Sequence, residues 1–390
     1  MKILLANFTK MISDSGGLAK VTIAFANEMI NRGHEVSVLY SDEHTGEFFY
    51  PVDKSVKLYN LKENKDGSII KFPAHLKVWR EILRAIDKRS ARTVNSKFEE
   101  RKLLKNLEYY LKIINPDIII SYQPAASKLL LCNLQVNIPV ITMSHGDPED
   151  YFYTYPKEEI PALEKSAVCQ VLMPSFEEHI KKYLPSAKTI TIGNAIPQFD
   201  FSADLVANKK QYKIIFVGRL TKGHKRPHLL IQAFTKLAAQ YPDWIVELWG
   251  HKDGEAYYKE LENIIKNNKL QDRVFLKGST NNVPQKLKDA DVFAFPSAVE
   301  GFGMALAEGM SVGLPSIGYK NCPAVNELIK NGVTGILCDD GVEPFKQALE
   351  QLMQNRDLRV AMGKAAKEDM KQYAPKVIWD KWEELMKSVL

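Results

Sequence analysis

Short, nearly continuous apolar runs alternate along this chain with longer segments of helical spacing. KILLANF opens the pattern, a helical stretch follows from about Gly17 to Arg32, and HEVSVLY comes next. PDIIISY, IPVITMSH, CQVLMPS and KTITIGNAI continue it. A parallel strand covered on both faces requires such runs, because neither face meets water. The pattern then restarts with KIIFVGRL, WIVELWG, DRVFLKG, DVFAFPS, LPSIGY and TGILCDD. Between the halves lies PQFDFSADLVANKKQ, polar and without either period. The spacing predicts two doubly wound, Rossmann-like α/β domains with parallel sheets, residues 1–198 and 212–374, joined by a linker over 199–211. Ligand is expected in a cleft outside the carboxyl ends of the strands. Pro375 interrupts the last helical pattern, and VIWDKWEELMKSVL resumes it with Trp379, Trp382, Leu385 and Met386 on one stripe.

Composition narrows the class. The chain has 390 residues, 45% apolar and 26% charged, as in a soluble globular enzyme. No run of about 18 apolar residues exists to span a bilayer. The start, MKILLANFTK, is too short in its apolar part for a signal peptide and reads as a first buried strand, so a cytoplasmic location is expected. Cys132, Cys169, Cys322 and Cys338 are far apart and form no Cys-x-x-Cys pair, which points to buried thiols rather than a zinc site.

The net charge of +6 is mild, but its distribution is not. Residues 71–112 carry twelve Lys or Arg against five acids, with Leu76, Trp79, Ile82, Leu83 and Ile86 at helical spacing. Two readings stay open. The segment is a basic amphipathic face for anionic lipid, which would make the protein peripheral on the inner face of the membrane. Alternatively it is a surface helix whose apolar stripe packs on the N-terminal sheet. A nucleic-acid partner is not expected, because no aromatic-interleaved basic strand occurs.

Four stretches carry candidate chemistry. In SAVEGFGMALAEGMSVGLPSIGY, residues 297–319, a strand ends, a Gly-Phe-Gly turn follows, and a helix begins with Glu300 before it and Glu308 within it. Free amides at a helix start and the helix dipole favour an anion such as phosphate. The alternative is a plain corner with one acid capping the helix and the other solvated. Gly16 and Gly17 open the first helix and would let backbone approach a diphosphate, but no G-x-G-x-x-G is present. The loop NFTKMISDSGG is also long for a dinucleotide turn, which counts against a hydride-transferring dehydrogenase. In VGRLTKGHKRP, Arg219 and Lys225 are placed to neutralise a diphosphate, with Lys222, His224 and Arg226 as a basic rim. Lys222 competes with Lys225 for that role. His145 ends a strand of the first domain, and Gly146 follows it. No Asp-x-Asp run is placed to hold a metal.

Taken together and in order, FPSAVEGFGMALAEGMSVGLPSI, VGRLTKGHKRP, SGGLAK, SHGD and NELIKNGVTGILC resemble the retaining glycosyltransferases of the GT-B fold, in particular family 4. The resemblance spans nearly the whole chain. It implies a nucleotide-diphosphate sugar donor, with UDP-sugar expected, and no metal or other cofactor. Arg219, Lys225 and the amides of Gly301, Phe302, Gly303 and Met304 would hold the donor diphosphate, approached by Gly16 and Gly17. Glu308 would bind the ribose and Glu300 the transferred sugar. The loop from Gly278 through Ser279 and Asn282 to Val283 would hold the base. His145 would face the anomeric carbon and the acceptor. The acceptor implied is a saccharide, a lipid-linked saccharide or a protein, in cell-surface polysaccharide or glycoconjugate synthesis. The final helix, 375–390, would cross back to pack on the N-terminal domain. Same-face attack is favoured over double displacement, with Asp147 the nucleophile candidate for the latter. A nucleotide-sugar epimerase on the same fold and a non-catalytic nucleotide-sugar-binding relative are the alternative functions.

Overall fold

A computed structural model describes residues 1–14 and 16–390; Ser15 of the SGGLAK stretch lies outside the described residues. The chain divides into two compact units, 1–193 with 379–390, and 194–378.

The first unit is built on a 7-stranded sheet. Its strands are β1 (Lys2–Asn7), β2 (Glu35–Tyr40), β3 (Lys57–Asn60), β4 (Ile118–Ser121), β5 (Val140–Met143), β6 (Val168–Val171) and β7 (Thr189–Thr191). They run parallel in the order β3-β2-β1-β4-β5-β6-β7. The strand order reverses between β1 and β4, and such a switch point leaves a crevice at the strands' carboxyl ends. Strand β3 has no counterpart in the apolar pattern. It is an edge strand with Lys57 and Leu58 exposed, so it lacks the two-sided burial that makes an apolar run.

Helix α1 (Gly17–Asn31) follows β1 and buries Ala19, Thr22, Ile23, Phe25, Ala26 and Met29. The basic segment is a hairpin of two helices, α2 (Ala74–Ile86) and α3 (Lys88–Ile114). The break is at Asp87, which is extended (φ −147°, ψ 118°) and caps α3 by accepting from the amides of Arg89 and Ser90. A bond from the Ser90 hydroxyl, and then these amides, hold its carboxyl below the usual carboxylate range. The apolar stripe expected to pack on the sheet, Leu76 to Ile86, lies in α2 and does not; the sheet is covered by α3 instead, whose Leu103 and Leu107 join Leu4, Ala6, Leu39 and Ile119 in one core. Helix α2 has no buried residue.

The second unit carries a 6-stranded sheet of β8 (Tyr212–Val217), β9 (Trp244–Trp249), β10 (Val274–Gly278), β11 (Val292–Ala294), β12 (Ser316–Tyr319) and β13 (Gly335–Cys338). All pairs are parallel, in the order β10-β9-β8-β11-β12-β13. The reversal here lies between β8 and β11, paired through Val292 with Ile214 and Phe293 with Ile215. The two sheets give the two-domain α/β architecture of the GT-B fold. Residues 199–211, expected as a linker, are tied to the second unit. Lys367 Nζ donates to the carbonyls of Phe199 (3.0 Å) and Phe201 (2.7 Å), and Lys209 pairs with Asp291 (2.7 Å). All four cysteines are free thiols, and Cys132 is only half-buried.

The last helix, Pro375–Ser388, begins in the second unit, and from Trp379 onward it belongs to the first. Trp379 and Trp382 meet Phe25 edge-on, with ring centroids 5.5 and 5.0 Å away. Arg32, at the end of α1, bonds Asp380 (2.8 Å) and Glu383 (3.0 Å). Replacing Trp382 by Ala is expected to destabilise the first unit by about 3–5 kcal/mol, the usual cost of deleting a buried aromatic. Urea unfolding followed on the first unit's transition measures this, and a loss under about 1 kcal/mol would contradict the packing role.

Candidate functional site

In the second unit the site grows out of the exits of β8 and β11. Gly218 leaves β8 with its amide bonded to the Trp249 carbonyl (2.9 Å), and Gly250 leaves β9 bonded to the Gly278 carbonyl (2.9 Å). The two exits touch. A Cβ on Gly250 would lie 1.9 Å from the Gly218 carbonyl oxygen, so no other residue fits there. This close approach delivers Arg219, exposed, to the carboxyl edge, followed by the basic loop.

That loop settles which lysine points inward. Lys222 is 62% exposed and turned to Glu260 (2.8 Å). Lys225 is 20% exposed and its ammonium meets Glu300, itself 10% exposed, at 2.5 Å. The Phe295 ring lies under the ammonium, 4.7 Å from Nζ, and shields it from water. Arg226 corrects the expectation of a solvated rim. It adopts a left-handed backbone (φ 47°), donates to the Pro296 carbonyl (3.1 Å) and to Asp340 (2.9 Å), and lies over the Tyr319 ring. It is a clamp joining the basic loop to the ends of β11 and β13. His224 is joined to the same corner by its carbonyl, which accepts the Ala298 amide (2.8 Å).

Beyond β11, Gly301 and buried Phe302 lead to Gly303, left-handed (φ +84°) at the start of the helix Met304–Ser311. No side chain caps that helix start, so its first amides remain available to an anion. Phe302 is anchored edge-on against Tyr373 at 5.2 Å. Glu308 lies one turn into the helix, half-buried. Gly309 lets the helix sit on β11, since a Cβ there would be 2.8 Å from the Phe293 ring. The loop after β10 begins at left-handed Gly278 (φ +69°). Ser279 and Asn282 are exposed, and the Asn282 side chain accepts from the Gln285 amide as the cap of the helix Val283–Lys288. That side chain is thus spent on structure, and the backbone of this loop is what is offered to a ligand.

The first unit holds the remaining candidates. Gly16 is extended (φ −67°, ψ 160°) before α1, with its amide bonded to Asp14 (3.0 Å), and open space surrounds Gly17. His145, two residues past β5, stacks on Tyr122 (5.2 Å between centroids, 16° between planes). Its Nε2 is shut from solvent without a partner. Burial pulls its pKa down to about 4, so the ring is neutral at physiological pH. Asp147 accepts from the Glu149 amide (2.9 Å) and meets His179 Nδ1 (2.6 Å). Among the described residues, Asp147, Glu149 and His179 form a group whose ligand atoms lie within 4.8 Å of one another, as a metal would need. Lys182, 2.8 Å from Glu149, already supplies positive charge there.

Two adjoining cavities, about 290 and 180 Å³, open past the carboxyl ends of β1 and β4 and share Phe8, Thr9, Asn95 and Glu99. Burial, and secondarily Glu159, pushes the Glu99 carboxyl up to about 7; burial does the same to Glu159. Sequence reading missed both acids, because Glu99 in a charged helix and Glu159 in the turn Lys157–Glu159 look solvated until their surroundings are known.

The chain as a whole is similar to known proteins. The model of the group 1 glycosyl transferases matches residues 197–369, and that of glycosyltransferase family 4 matches residues 15–175. An uncharacterized glycosyltransferase of Haemophilus influenzae is 24% identical over 97% of this chain and 98% of its own. The amylovoran biosynthesis glycosyltransferase AmsD of Erwinia amylovora is 26% identical over 96% and 97%. A mutant of S. aureus TarM, solved in complex with Fondaparinux, alpha-GlcNAc-glycerol and UDP, has the same fold, with a TM-score of 0.75 at 15% identity over 99% of each chain. The first model takes in the whole sheet of the second unit and the second takes in β2 to β6 of the first, and the chain belongs to the group 1 glycosyl transferases.

Proposed function

We propose that this glycosyltransferase moves a hexose from a UDP-sugar, with retention of anomeric configuration and without a metal, to a saccharide, lipid-linked saccharide or protein acceptor. The setting proposed is cell-surface polysaccharide or glycoconjugate synthesis in the cytoplasm. The observation that carries the reading is the Lys225–Glu300 pair at the β8/β11 switch point, beside the uncapped start of the helix Met304–Ser311. The UDP in the TarM complex and the amylovoran biosynthesis in the name of AmsD support the donor and the setting.

The roles follow from charge. As the bond between the anomeric carbon and the phosphate oxygen breaks, negative charge collects on the diphosphate and positive charge on the sugar. Arg219, Lys225 and the amides of Gly301–Met304 stabilise the first. Glu300, released from Lys225 by the diphosphate, accepts from the sugar's hydroxyls. Glu308 takes the ribose hydroxyls, and the backbone from Gly278 to Val283 takes the base. In the first unit, Gly17, in open space at the start of α1, offers its amide to a phosphate, and Gly16, whose own amide is held by Asp14, gives the backbone room to approach. The engagement of Asp147 with His179 favours same-face attack. The acceptor oxygen bonds to the anomeric carbon on the face the diphosphate leaves, and its proton passes to the leaving phosphate oxygen. His145 faces the acceptor as a neutral ring, and the cavities around Glu99, which it does not line, hold the rest of the acceptor.

Thermal unfolding with UDP, GDP and ADP tests the donor. UDP at 100 times its dissociation constant should stabilise by about 2.7 kcal/mol, with smaller shifts from the other two at the same concentration. Stabilisation by GDP or ADP in place of UDP would refute the donor assignment.

The state of His145 sets a pH dependence. Its folded pKa of about 4 lies below the ordinary 6.5, so its contribution to stability is complete above pH 6.5 and is lost as pH falls toward 4. Relative to a His145→Gln variant, wild type should lose on the order of 3 kcal/mol across that window. A stability difference that stays constant with pH would show that the ring is not held neutral.

A further inference from the structure

Helix α2 stands apart from every other long helix of the first unit. Val78, Trp79, Ile82 and Ile86 are 62%, 52%, 49% and 79% exposed. At about 100° per residue these side chains, with Leu76 and Leu83, fill an arc of about 160°. Arg80, Arg84 and Lys77 follow along one flank. The inner part of the arc, Leu76, Trp79 and Leu83, lines a groove of about 460 Å³ against α3, with Val94 and Phe98 opposite. Lys97, Arg101 and Lys102 of α3 stand on its rim, all exposed. The outer part, Val78, Ile82 and Ile86, touches nothing that hides it from water.

Soluble surfaces do not leave a continuous apolar helix face uncovered without a use for it. The charge around this face says what covers it. Residues 71–112 carry twelve Lys or Arg against five acids, so this one segment holds a larger positive excess than the +6 of the whole chain. An apolar face with cations at its side and on the rim of an adjoining groove is complementary to a surface that is hydrocarbon beneath and anionic above.

We propose that α2 docks on an anionic lipid bilayer. Val78, Ile82 and Ile86 enter the boundary between headgroups and acyl chains, and the cations of α2 and α3 lie along the phosphates. Trp79 sits at the headgroup level, where an amphipathic ring is most favourable. The groove behind it accepts a lipid's hydrocarbon chain, with its phosphate at Lys97, Arg101 and Lys102. This docking is independent of the donor assignment, because none of these residues takes part in nucleotide binding.

Co-sedimentation of the full chain with vesicles of phosphatidylglycerol and phosphatidylcholine tests it. Binding should rise with the phosphatidylglycerol fraction, be at least tenfold weaker on pure phosphatidylcholine, and fall steeply between 0.1 and 0.5 M salt as the charges are screened. A Val78→Ser, Ile82→Ser, Ile86→Ser variant alters only exposed positions and should keep the wild-type melting temperature and nucleotide binding while losing at least tenfold in vesicle affinity. Lys97→Glu, Arg101→Glu, Lys102→Glu should do the same through charge. No sedimentation of wild type, equal binding to both lipids, or full binding by either variant would overturn the proposal. So would a dimer that the serine variant dissociates in the absence of lipid, since the face would then belong to a second copy of the chain.

Discussion

The site in the second unit depends on one contact, the approach of the Gly250 backbone to the Gly218 carbonyl where β8 and β9 end. It fixes the direction in which the chain leaves β8, and so the path of the basic loop. With that path set, Lys225 turns back over Phe295 to Glu300, whereas Lys222 turns out to Glu260. Arg226 then locks the loop to the ends of β11 and β13. A side chain at Gly250 would displace the Gly218 backbone, and with it the loop that carries the ammonium.

The Lys225–Glu300 pair has a further meaning. An ion pair this poorly solvated gains little for stability, because withdrawing two charges from water offsets most of their attraction. Its worth lies in holding two opposite charges ready for a ligand that carries both kinds of complement. A sugar diphosphate has anionic oxygens for the lysine and hydroxyl donors for the glutamate, so binding exchanges one set of partners for another without stranding a charge. The uncapped helix start at Met304 adds a fixed positive potential that needs no reorganisation during the reaction.

Much of this was legible in the sequence, for identifiable reasons. The strands buried on both faces announced themselves as apolar runs, and the order of motifs placed Arg219, Lys225, Glu300 and Glu308 on strand exits and a helix start. Edge strand β3 was missed because one of its faces meets solvent. Gly250 was missed because a single glycine after a strand has no signature; its role exists only across the β8/β9 pair. Arg226 read as rim because its partners, Pro296 and Asp340, are distant in sequence. The 71–112 segment held two answers, and the structure divided them at Asp87: α3 covers the sheet, and α2 covers nothing.

The central claim is that Lys225, paired with Glu300 in the free protein, leaves that carboxylate to take the donor's diphosphate. Calorimetric titration with UDP of wild type and of the Glu300→Gln, Lys225→Ala and Lys222→Ala variants tests it most directly. Removing the carboxylate frees the ammonium and lifts its repulsion of the diphosphate. Glu300→Gln should therefore bind UDP at least as tightly as wild type. Lys225→Ala should bind it at least tenfold more weakly, and Lys222→Ala should match wild type. Weakening by Glu300→Gln equal to that of Lys225→Ala, or a larger loss from Lys222→Ala, would contradict the account.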